Sequence, residues 1–202
     1  MQDRRLAARA VLVVEHDPIE SGESRHLGGD GRAEVEPEAG EELAAEARAA
    51  VQSMRYPPRG MRGVAKLTRA SAFGARFDEY FAHAHEWLVT LAQIETVDAV
   101  ENAQEIADVD GVDVVFVGPM DLTTSMGIPG QYGDARFHDA LGEVADAAQS
   151  AGKAAGILLL DPANLPLCRE LGYTVVALGS DGGSVTAGLK QSLRTLTATD
   201  GL

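Results

Sequence analysis

The sequence predicts an α/β fold built on a mainly parallel sheet, either closed as a barrel or doubly wound. Three observations lead there. Short continuous apolar runs at 10–16, 88–94, 112–117, 153–160 and 173–178 suit strands buried on both faces. Stretches of helical periodicity separate most of these runs. The connections are only a few residues long, as parallel crossovers built from helices require.

The elements follow in order. Residues 10–16, AVLVVEH, form a strand ending at His16, and Asp17-Pro18 stops it. Residues 19–38 hold Gly22, Gly28, Gly29 and Gly31 with no periodicity and are expected to be irregular. Alanine-rich 41–54 begins with acids and is a helix, closed by Tyr56-Pro57-Pro58. A short strand is expected at 62–65. A helix follows at 71–86, with Phe73, Phe77, Tyr80 and Phe81 as one core-facing stripe. After the strand at 88–94, Val97, Val100, Ala103 and Ile106 give a helical face, and 112–117 is the next strand. A helix starts after Pro119. The glycine-rich 127–133 loop lacks the lysine of a phosphate-binding loop. Helix 134–149, strand 153–160, helix 162–171, strand 173–178 and helix 184–196 complete a single domain over 1–202.

The candidate chemistry lies between 88 and 126. Glu95 and Asp121 follow two apolar strands separated by one helix, and a right-handed crossover places such strands side by side. Both carboxylates then stand at the end of the sheet where α/β folds bind ligands. They could share a proton, pair with arginine or bind a hard cation. The oxygen-only set, with Gln93 beside it, suits Mg²⁺ or Mn²⁺ better than Zn²⁺. The competing reading makes Glu95 and Asp121 caps for the helices that follow them. His83, His85 and His138 read as surface residues.

Composition narrows the partners. A formal charge of -14 argues against nucleic acid and against anionic lipid. No apolar run approaches the ~18 residues of a membrane span. The single cysteine, Cys168, allows no internal disulfide, and a cytoplasmic protein is expected.

Five stretches then resemble one known family. They are Arg55-Tyr56-Pro57-Pro58 with Gly60 and Arg62-Gly63; Gln93-Ile94-Glu95-Thr96 with Ala99 to Asn102; Val117-Gly118-Pro119 with Asp121-Leu122; Ala151-Gly152-Lys153; and Gly179-Ser180-Asp181. Their order and content resemble the HpcH/HpaI aldolase and citrate lyase family, within it the 2-oxo acid aldolases. The resemblance implies a (β/α)₈ TIM-type barrel, here incomplete by one or two N-terminal strands, with 19–38 replacing a β/α unit. It implies a lyase that cleaves 4-hydroxy-2-oxo acids to pyruvate and an aldehyde, using Mg²⁺, Mn²⁺ or Co²⁺ held by Glu95 and Asp121. Gln93 and the backbone of Gly118, Pro119 and Met120 would meet the oxo acid, and His16 would be the general acid/base. Partners would be the small-molecule substrate and further copies of the chain, as trimer or hexamer. The sequence departs from the family's pattern at Val13, where an aspartate orients the histidine, and no arginine–proline strand end lies between His16 and the helix at 41–54. A member that only binds metal and a 2-oxo acid is therefore the alternative. A citryl- or malyl-CoA lyase is disfavoured by the absence of a basic patch for CoA phosphates.

Overall fold

A computed structural model of the chain describes residues 11–14 and 39–199. The elements are β1 (Val11–Val14), α1 (Ala39–Met54), a 3₁₀ turn (Arg69–Ser71), α2 (Phe77–Trp87), β2 (Val89–Ile94), α3 (Val97–Glu101), α4 (Ala103–Ala107), β3 (Val114–Val117), α5 (Pro119–Ser125), α6 (Ala135–Ser150), β4 (Ala154–Leu159), α7 (Leu165–Glu170), β5 (Tyr173–Leu178) and α8 (Asp181–Thr199). The strands form one parallel sheet in the order β1-β2-β3-β4-β5.

Spatial order equals chain order, so the described sheet has no reversal point of the doubly wound kind. Helices α1 and α3–α7 cover one face. There Ala92, Ile94, Val115, Val117, Ala155 and Ile157 meet Val51, Ile106, Leu122, Phe137, Leu141 and Val144. Ile94, Leu122 and Leu141 are fully buried, each stabilising the fold by roughly 1.5–3 kcal/mol. The other face carries a smaller cluster of Leu91, Val114 and Phe116 with Val175 and Ala177. Successive parallel strands with helices on a single side are a segment of a TIM-type barrel wall, which resolves the choice left by strand pattern alone. On the inner face Gly156 makes room for the Phe116 ring, because a methyl group there would stand 2.6 Å from Phe116 Cδ2 and 2.9 Å from Val114 Cγ1.

Three expectations are corrected. Residues 62–65 are not a strand. The helix expected from 71 begins only at Phe77, because Ala72 (φ 50°), Phe73 (φ 54°) and Gly74 (φ 95°) adopt left-handed backbone that a right-handed helix cannot continue. Buried Ser71 organises that turn, donating to Lys66 O at 2.6 Å and accepting from Gly74 N at 3.3 Å. The aromatic stripe consequently breaks up: Tyr80 is buried, whereas Phe73 is 70% exposed and Phe81 38%. The helical face after Thr96 is also split, into α3 and α4, at Asn102. His16 and the irregular 19–38 segment lie outside the described residues.

Candidate active site

β2 and β3 pair in register through Ile94↔Val117, so Glu95 and Gly118 are the next residues beyond the paired ends. The Gly118 N–H donates to Ile94 O at 3.1 Å and ties the two exits together. Alternation along β2 puts Leu91, Gln93 and Glu95 on the inner face. The Gln93 amide nitrogen donates to Glu95 Oε1. This fixes one carboxylate oxygen and leaves the half-buried acid at the sheet's C-terminal rim. Gln93 Oε1 is buried without a hydrogen-bond partner. Such an orphan costs about 1–3 kcal/mol, and, as an acceptor, it marks a place where a cation or a hydrogen-bond donor would be met.

The Glu95 side chain crosses directly over Gly118. A Cβ at 118 would come within 2.7 Å of Glu95 Cγ and 2.9 Å of Cδ. Glycine is thus the cradle in which the carboxylate rests. Gly118 is also the N-cap of α5 and Pro119 its first residue, so no side chain caps this helix. The Met120 and Asp121 amides have no acceptor within the helix. Asp121 lies in that first turn and is exposed.

Neither acid is a helix cap. Thr96 caps α3, its hydroxyl accepting from Ala99 N at 3.1 Å, and Gly118 occupies the cap position of α5. Side-chain capping is thus made by neither acid, while Asp121 holds the first-turn position where a helix start favours a carboxylate. The donor types suit a hard cation: the Glu95 carboxylate just beyond β2, the Asp121 carboxylate in the first turn of α5 after β3, and the Gln93 amide oxygen, with no sulfur or imidazole among them. Among the described residues no group of three or more His, Cys, Asp or Glu could hold a metal. A cation here would accordingly draw its remaining ligands from substrate and water, the habit of Mg²⁺.

The described histidines have other partners. His83 Nδ1 meets Glu86 at 3.1 Å and His85 Nε2 meets it at 3.4 Å, both on α2. His138 Nε2 lies 3.0 Å from Tyr132 O. Lys153 precedes β4, at the opposite end of the sheet from Glu95, and Lys66 lies over the Phe77 ring. Two features escaped sequence reasoning. One is the Gly118 cradle, whose signal was a glycine following an apolar strand; the other is Ser125, whose hydroxyl accepts from Val97 N at 3.1 Å and for which the sequence carries no signal.

A family model described as HpcH/HpaI aldolase/citrate lyase matches residues 41–187. The 2-keto-3-deoxy-L-rhamnonate aldolase of Salmonella paratyphi B is 40% identical over 153 residues, which are 75% of this chain and 57% of that protein. The chain thus spans little more than half the length of the curated relatives it matches. Among solved structures, an HpcH/HpaI aldolase/citrate lyase family protein from Burkholderia cenocepacia matches with TM-score 0.67 and 34% identity, over 76% of this chain and 61% of that one. An HpcH/HpaI aldolase from Desulfitobacterium hafniense gives 0.65 and 28%, over 76% and 60%.

Proposed function

The chain belongs to the HpcH/HpaI aldolase/citrate lyase family, and from that premise we propose that it is a divalent-metal-dependent aldolase. It cleaves 4-hydroxy-2-oxo acids, 2-keto-3-deoxy sugar acids among them, to pyruvate and an aldehyde. The observation that carries this reading is the Glu95 carboxylate, fixed by Gln93 and seated on Gly118 at the exit shared by β2 and β3.

Glu95 and Asp121 hold the cation, which is Mg²⁺, Mn²⁺ or Co²⁺. When bound, the cation supplies electrophilic stabilisation of the negative charge that develops as the carbon–carbon bond opens. Gln93 orients Glu95 and offers its unpaired Oε1 toward the ligand. Beyond Gly118 and Pro119, the N–H groups of Met120 and Asp121 at the start of α5 receive the substrate carboxylate. His16 takes the proton of the C4 hydroxyl, a task suited to an imidazole near neutral pH.

The test is pyruvate release from 4-hydroxy-2-oxo acids with Mn²⁺ or Mg²⁺. Turnover that is lost in Glu95→Ala and in His16→Ala supports the reading; turnover without metal, or unaffected by Glu95→Ala, overturns it. The second reading is a member that binds metal and oxo acid without turnover. It is favoured by departures within the chain: Val13 stands where the family's pattern has an aspartate, and no arginine–proline strand end lies between His16 and the helix at 41–54. Calorimetric binding of oxalate with no pyruvate release separates the two. A citryl- or malyl-CoA substrate remains disfavoured.

The same proposal includes self-association, as trimer or hexamer, and a cytoplasmic location with no nucleic-acid or membrane partner. No helix among the described residues is long and apolar enough to cross a membrane. For self-association the support is α8. Its described side chains are exposed throughout, and Val185, Leu189, Leu193 and Leu196 recur at helical spacing, each more than 60% exposed.

A further inference from the structure

Helix α5 is tied at both ends to the turn that carries Glu95. At its start the Gly118 N–H donates to Ile94 O at 3.1 Å. At its end the Ser125 hydroxyl accepts from the Val97 N–H, also at 3.1 Å. Ile94, the last residue of β2, and Val97, the first of α3, flank Glu95; Gly118 and Ser125 bracket Asp121 at the two ends of α5.

We propose that Ser125 is a positioning residue for the acid pair: its hydroxyl sets the spacing between the Glu95 and Asp121 carboxylates by holding the last turn of α5 to the first turn of α3. This rests on the reading of those acids as ligands of one divalent cation. The tie at Gly118 is made by backbone alone. The tie at Val97 depends on one hydroxyl. Hydroxyls late in a helix usually bond back to a carbonyl of their own helix. Thr123 and Thr124 of α5 do so, to Pro119 O at 2.7 Å and Met120 O at 2.8 Å. Ser125 instead serves α3, satisfying a first-turn N–H that has no intrahelical partner. Leu122 and Thr123 anchor the middle of α5 in the core, so losing the Ser125 bond loosens the exposed side of the helix, on which Asp121 also lies. A small hard cation demands ligand distances near 2.0–2.1 Å, so loosened spacing appears as weakened binding.

The experiment is Mn²⁺ titration of the purified protein, followed by the spin-resonance signal of free Mn²⁺, alongside thermal melts. Ser125→Ala is expected to weaken Mn²⁺ binding about tenfold, the scale seen when a group orienting a metal ligand is lost. Ser125→Thr, which keeps the hydroxyl, restores it. Thr96→Ala removes the α3 cap and controls for general loosening of that helix; it should leave Mn²⁺ affinity closer to wild type than Ser125→Ala does. Wild-type affinity in Ser125→Ala, or an equal loss in Thr96→Ala, overturns the positioning role while Glu95→Gln still abolishes binding. Should Glu95→Gln bind Mn²⁺ as wild type does, the cation reading itself fails and the role of Ser125 falls with it.

Discussion

The Glu95 carboxylate occupies the space that any side chain at position 118 would need. The Cβ of an alanine would stand 2.7 Å from Glu95 Cγ and 2.9 Å from Cδ, distances that force one of the two to move. Gly118→Ala should therefore fold, yet displace the acid. We expect kcat/KM for 2-oxo acid cleavage to fall about a hundredfold, as ångström-scale misplacement commonly does, with the circular dichroism spectrum unchanged.

Gln93 spends its N–H on Glu95 and leaves its own carbonyl buried and unmatched. Gln93→Leu removes both features. Mn²⁺ affinity should drop roughly 10–100-fold with the loss of the orienting donor. The melting temperature should hold or rise, because the orphaned oxygen goes too. A variant that loses stability and keeps affinity would contradict this division of labour.

The five strands were legible because largely apolar runs mark strands of a covered parallel sheet, and the place of Glu95 just beyond β2 follows from them. The helix at 41–54 was legible from its alanines and early acids, and the loop at 127–133 from its glycines. The stretch 62–76 was not. Its aromatic spacing reads as an amphipathic helix, but Ala72 and Phe73 take left-handed backbone around the buried Ser71 hydroxyl, a tertiary demand invisible to periodicity. Asn102 hides similarly: its side chain bonds back to Asp98 O at 2.7 Å and ends α3 inside a continuous apolar pattern. The contact between Val97 and Ser125 spans 28 residues, and no local pattern encodes it.

Tyr173 begins β5 and donates its buried hydroxyl to Leu141 O at 2.9 Å. Burial pushes this phenol far above its ordinary range, so it stays protonated wherever the protein is folded. Tyr173→Phe removes this buried bond while Leu141 O keeps its helical partner, and should cost about 0.5–1.5 kcal/mol. Urea melts at pH 6 and pH 9 should give the same difference.

Asp134 caps α6, accepting from Arg136 N at 2.9 Å and from the Arg136 guanidinium. The hydrogen bonds from Arg136 hold its carboxyl below the ordinary carboxylate value. A lowered folded-state value means stabilisation present above the unfolded value and lost as pH falls through the folded one. Asp134→Ala should therefore be less stable than wild type at pH 7, and the gap should narrow as the medium becomes acidic enough to protonate the cap.

The leucine stripe of α8 predicts a change in mass. Leu189→Glu with Leu193→Glu places charge in the middle of the stripe, at two positions more than 60% exposed. Light scattering should report a smaller species than wild type. An unchanged mass would assign self-association to another surface.

Phe116 stands one residue pair below Gly118 on the inner face, spread over Gly156, with Leu91 beside it. Both hydrocarbons are nearly sealed, at 8% and 6% exposure. They form an apolar bed beneath the acid, and its height is set at Gly156: a bulkier residue there would push the Phe116 ring toward the rim.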